Sequence, residues 1–129
     1  MIDEGVIINF FLVVDDSAII LKQMTNFIET ISPEFKVLTA SSAEEGIEII
    51  KDKHSEISMV FVDYHMKGGT GLDLVEKSLS FLTIEQHVLC TASRQNEVFI
   101  KATKMGVKVC YKPLSEMVLK EILFPPNAA

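Results

Sequence analysis

The sequence contains no tryptophan, two cysteines, four prolines and six glycines in 129 residues. Cys90 and Cys110 are too few to staple a small secreted scaffold, and without a secretory leader they read as reduced thiols in a cytoplasmic protein. No histidine or further cysteine stands at ligand spacing to them, so two small buried hydrophobes are a better reading than a metal pair. Positive charge is also scarce: Lys and Arg number 12 against 18 Asp and Glu, a net charge of −6. That removes the basic face expected of a nucleic-acid binder or of a protein drawn to an anionic membrane. No apolar run is long enough to span a bilayer. The opening stretch MIDEGVIINFFLVVDD lacks a basic start and a small-residue cleavage site, so it reads as a strand running into acids. Repeats, linkers and low-complexity segments are missing too, and the length suits a single domain. We expect one domain over 1–129, with a core over about 6–124 and a frayed tail at 125–129.

What is present is an alternation of strand and helix. Ile7 to Val14 is a continuous apolar run, and Ile20, Met24, Phe27, Ile28 and Ile31 follow at helical spacing. Ser17 suits the N-cap of that helix, and Ser32-Pro33 its end. FKVLTA is a second strand. Ser42 and Glu45 then form a capping-box pattern at the start of a second helix. Ile57 to Val62 is a third strand, followed by a glycine-rich loop and a short helix from Leu72 to about Ser80. HVLCTA is a fourth strand, Arg94 to about Met105 a helix closed by Gly106, VKVCY a fifth strand, and SEMVLKEILF a last helix. Strands 1, 3 and 4 are apolar throughout, as expected when helices cover both faces. The fold class is therefore α/β, an open, doubly wound, five-stranded parallel sheet.

Ligands of such sheets bind beyond the carboxyl ends of the strands. There the sequence places Asp15 and Asp16, Asp63, Thr91 with Ala92, and Lys112 with Pro113. Three neighbouring carboxylates repel one another, and a hard divalent cation relieves that cost; Mg²⁺ suits an oxygen-only site, with Mn²⁺ as a substitute. Thr91 can donate to an oxyanion, Lys112 can bind phosphate as a point charge, and an aspartate can attack phosphorus. The set fits an acyl phosphate formed on one of the aspartates. Alone, each element is commonplace: an acidic pair often begins a helix, and Lys-Pro often lies in loops. Their joint order at four strand ends is not.

With VVDDS, VFVDYHMKGGTGLDL, VLCTAS and YKPLS in place, the chain resembles a bacterial response-regulator receiver domain over essentially its whole length. The resemblance implies a flavodoxin-like (βα)5 fold with strand order 2-1-3-4-5. It makes Asp63 the phosphoacceptor, with Asp16 and Asp63 as direct metal ligands, Asp15 as a ligand through water, and the His65 backbone carbonyl as another. Thr91 and Lys112 would contact phosphoryl oxygens. It also implies a histidine kinase or histidine phosphotransfer protein as donor and a protein target on the face of helix 4, strand 5 and helix 5. The protein would be a monomer or a phosphorylation-dependent dimer, a switch more than a metabolic enzyme, with no direct nucleic-acid or membrane role. The methionine start and short tail favour a stand-alone receiver over a piece of a larger regulator.

The chain departs from the family pattern in places. Lys67 stands where a proline usually follows Met66, and Val109 stands where an aromatic residue usually precedes the lysine by three. The segment from Gly106 to Lys112 is one residue short. Tyr111, on the same face of the strand as Val109, is the candidate substitute for the missing ring; otherwise it simply packs beside the last helix. His65 and Ser93 hold positions that tune phosphoryl lifetime in the family. Ile19, off the apolar stripe of its helix, and Leu21 at the stripe's edge are expected to contact the donor. Two rival readings remain: a receiver-like module that is never phosphorylated, and an aspartate-nucleophile phosphohydrolase of the haloacid-dehalogenase type. The second would need an acid at position 65, where this chain has His65.

Overall fold

In a computed structural model, residues 9–67 and 69–124 are described. The strands are β1 (Phe10–Val14), β2 (Lys36–Ala40), β3 (Ile57–Asp63), β4 (His87–Thr91) and β5 (Lys108–Tyr111). The helices are α1 (Ala18–Ile31), α2 (Ala43–Lys53), α3 (Gly71–Ser78), α4 (Asn96–Met105) and α5 (Glu116–Leu123). Every pair within this five-stranded sheet is parallel, and the order is β2-β1-β3-β4-β5. This is the α/β fold expected from the alternation of strands and helices, with the strand order that the family resemblance implies.

Alternation along each strand explains why the strands are apolar throughout. Leu12 and Val14 of β1, Val60 and Val62 of β3 and Leu89 of β4 join Ile50, Leu74, Val75, Val98 and Ala102 from α2, α3 and α4. Their neighbours Phe11, Val13, Phe61, Val88, Cys90 and Cys110 turn the other way, onto Met24, Ile28 and Leu119 of α1 and α5. Successive side chains point to opposite faces, so a strand covered on both sides has no polar position to spare. Cys90 and Cys110 are free, buried and paired in register across β4 and β5. Burial pushes both thiols up, Cys110 to about 11, so they stay neutral and pack as small hydrophobes.

Several boundaries differ from expectation. The first strand begins at Phe10; Ile7, Ile8 and the tail at 125–129 lie outside the described residues. The third helix runs one residue earlier and ends at Ser78, and the fifth strand begins at Lys108. The fourth helix begins at Asn96, two residues after the expected Arg94. Ser17 and Ser42 do cap α1 and α2, accepting from the backbone of Ile20 and Glu45. The return bond of the expected capping box goes elsewhere: the Glu45 carboxylate accepts from Ser41 N–H at 2.8 Å. Gly106 closes α4 in the left-handed region (φ 82°), where a side chain would be strained.

Candidate functional site

The sheet reverses its winding between β1 and β3, because β2 lies on one side of β1 and all later strands lie on the other. Such a switch point opens a crevice at the carboxyl ends of the strands. Asp15 and Asp16 leave β1 there, and Asp63 is the last residue of β3. One carboxylate oxygen from each lies within 4.8 Å of the others. Asp15 and Asp63 are buried, while Asp16 is exposed.

Lys112, just past β5, reaches across to this cluster. Its Nζ lies 2.9 Å from Asp15 Oδ2 and 2.9 Å from Asp63 Oδ1. The other oxygen of Asp15 accepts from Ser17 N–H at 2.9 Å. Asp15 is thus held at both oxygens, whereas Asp63 Oδ2 meets no hydrogen-bond donor among the described residues. Burial raises the Asp63 carboxyl above its ordinary value; the Lys112 bond pulls it back, and the charges of Asp15 and Asp16 push it further up. Burial alone would lower Lys112, but its bonds to Asp15 and Asp63 outweigh that and hold the ammonium above its usual range. A cation added beside the three acids would remove repulsion that one lysine leaves uncompensated, and their all-oxygen donor set suits a hard ion such as Mg²⁺.

Thr91 ends β4, fully buried, and its hydroxyl oxygen accepts from Ser93 N–H at 2.9 Å. The backbone of Lys112 donates to the Thr91 carbonyl at 2.9 Å, which ties the lysine to the same strand end. Ala92 is exposed in the bend after β4, outside the strand in which it was expected. His65 is exposed, its ring edge-on to Tyr64 at 4.7 Å. Val109 is half-buried against the α2–α4 side of the core. Tyr111, which pairs with Thr91, carries the Arg94 guanidinium 4.4 Å from its ring centre. Ile19 is 71% exposed, whereas Leu21 packs partly into the α1–α5 side of the core. Among these positions, the structure gathers Asp15, Asp16, Asp63 and Lys112 into direct proximity, with Thr91 tied to the Lys112 backbone.

Gly71 was not singled out in the sequence, yet the end of β3 depends on it. The loop after Asp63 folds into a short antiparallel ladder, His65–Met66 against Gly69–Thr70, and Gly71 N–H donates to the Tyr64 carbonyl at 2.8 Å. A Cβ at Gly71 would stand 2.4 Å from the Asp63 carbonyl oxygen, closer than any side chain allows. The glycine-rich run after an acid-terminated strand was the available signal.

The family model for the response regulator receiver domain matches residues 11–124. No curated protein matches the chain. A response regulator receiver domain protein from Clostridium thermocellum has a similar structure, with a TM-score of 0.80, 26% identity, and 90% of this chain and 91% of that chain covered. The chemotaxis protein CheY4 of Vibrio cholerae superposes with a TM-score of 0.78 at 19% identity, over 90% of this chain and 96% of that one. CheY in the CheX-CheY-BeF3-Mg complex from Borrelia burgdorferi gives 0.77 at 21% identity, over 89% and 86%.

Proposed function

This chain belongs to the response-regulator receiver domain family, and from that premise we propose that it is a phosphoryl-accepting switch with Asp63 as the acceptor. The observation that carries the reading is the pairing of Lys112 with Asp15 and Asp63 at 2.9 Å each, which leaves one Asp63 oxygen without a donor among the described residues. That oxygen attacks the phosphorus of a phosphohistidine on a kinase or phosphotransfer protein. A P–O bond forms, the P–N bond breaks, and its electron pair leaves with the imidazole nitrogen. Lys112 supplies positive charge to offset the negative charge on the phosphoryl oxygens, and the Thr91 hydroxyl donates to one of them.

Mg²⁺ fits the donor set. Asp15, Asp16 and Asp63, with the His65 carbonyl, would hold it. When bound, it supplies charge neutralisation for the phosphoryl group. The exposed Ile19 on α1 belongs to the surface that meets the donor protein. The output surface is that of α4, β5 and α5, where Phe99 and Ile100 are about half exposed and Met117 is 70% exposed. The charge of −6 and the lack, among the described residues, of any helix long and apolar enough to cross a membrane favour a cytoplasmic site of action.

The test is incubation with Mg²⁺ and a small acyl phosphate, followed by intact-mass analysis. We expect the wild-type chain to gain one phosphoryl group. Chelation of the metal or Asp63→Asn should abolish the gain. A wild-type chain that gains nothing would instead favour an interaction module that is never phosphorylated.

A further inference from the structure

The connection from β4 to α4 is held in an unusual way. Helices α1, α2, α3 and α5 each begin on a Ser or Thr whose hydroxyl accepts a backbone N–H, but Gln95 at the start of α4 makes no side-chain cap bond. The connection is anchored from elsewhere. Ser93 N–H donates to the Thr91 hydroxyl at 2.9 Å, and Gln95 N–H donates to the Ser93 hydroxyl at 3.3 Å. Between these two residues, Arg94 lies across the half-buried Tyr111 ring, 4.4 Å from its centre. Tyr111 pairs with Thr91, so the guanidinium fastens the connection to the strand that also carries Lys112.

We propose that Arg94 stacked on Tyr111 is a latch that holds the β4–α4 connection in its unphosphorylated position. The proposal rests on the reading of Asp63 as phosphoacceptor. A phosphoryl group on Asp63 draws the Thr91 hydroxyl toward it, and that movement costs the bond from Ser93 N–H. The neighbouring Arg94 must then leave Tyr111 as the connection shifts. At Val109 there is no ring to follow Thr91, so the stack at Arg94 and Tyr111 is the element that ties Thr91 to the surface of α4 and β5. Arg94 acts through Thr91 and is a positioning residue, not a catalytic one. Because the latch favours the resting state, its removal tightens binding of a phosphoryl mimic.

The test is a titration of beryllofluoride with Mg²⁺ in a Tyr64→Phe background. The chain has no tryptophan and two tyrosines, so fluorescence then reports Tyr111 alone. The Ser93 amide signal, followed by NMR without the Tyr64 change, gives an independent readout. Arg94→Ala should bind beryllofluoride about two- to fivefold tighter, the range expected for loss of a partly exposed cation–π contact. The Ser93 amide should shift toward its bound position even without ligand. Tyr111→Leu, read by the amide, should match it. The double variant should add nothing, and Tyr111→Phe should behave as wild type. Unchanged or weaker binding in Arg94→Ala and Tyr111→Leu, with wild type binding normally, overturns the latch. Failure of wild type itself to bind overturns the phosphoacceptor reading, and the latch with it.

Discussion

At the scale of single residues, buried polar groups divide between the two ends of the sheet. At the rim, the Lys112 ammonium bridges the buried side chains of Asp15 and Asp63. At the opposite end, His87 begins β4 and is almost wholly buried. Its Nδ1 faces the Ile84 carbonyl at 3.3 Å, and Nε2 lies 2.5 Å from the Ser78 hydroxyl. A carbonyl only accepts, so the ring proton belongs on Nδ1, and the one Ser78 hydroxyl proton is shared between Nε2 and the Val75 carbonyl, 2.9 Å from the hydroxyl oxygen. Burial is the largest influence on this ring and lowers its pKa below 6.5, although the backbone carbonyls resist. The unfolded chain therefore takes up this proton more readily than the folded one, and stability falls as the pH drops below about 6.5. Denaturant melts between about pH 7 and 5 should show a shallower loss in His87→Gln than in wild type; equal slopes would assign the acid sensitivity to other groups. The four groups at the centre of the rim were legible in the sequence because each ends a strand or lies just past one. His87 read only as a strand residue, because its partner Ser78 lies on another element and no local pattern links the two. Arg94 was equally opaque, since the ring that holds it belongs to β5.

At the scale of elements, apolar runs marked the strands well, because a strand covered on both faces must be apolar at every position. The ends were harder to place. Ser17 and Ser42 identified their helix starts correctly because a hydroxyl cap is a local signal. Helix α4 has no such signal, and its expected start at Arg94 fell two residues early, since Arg94 is engaged with Tyr111. The missing cap is itself testable. Gln95 already has extended backbone angles suited to a cap (φ −69°, ψ 133°). Gln95→Ser should therefore stabilise the fold by about 0.5–1 kcal/mol in urea unfolding. A neutral or negative change would show that the start of α4 is already fully satisfied by the bonds around Ser93.

At the scale of the molecule, strand order does what no single motif can. Placing β1 beside β3, with β4 and β5 beyond, brings residues 15, 63 and 112 together from distant parts of the chain. The alternation of strands and helices predicted a parallel sheet, while the order itself came from the family resemblance and agrees with the observed pairing. Distances within the site could not be read from the sequence, because they depend on how Lys112 crosses from the edge strand to the centre. The central claim is that the Asp63 oxygen not held by Lys112 captures phosphorus. The most direct measurement is reductive trapping with borohydride after phosphorylation by an acyl phosphate in Mg²⁺, followed by peptide mass mapping. The account predicts conversion of residue 63, and of no other carboxylate, to homoserine. Trapping at Asp15 or Asp16, or a stable phosphoryl group on His65, would contradict it.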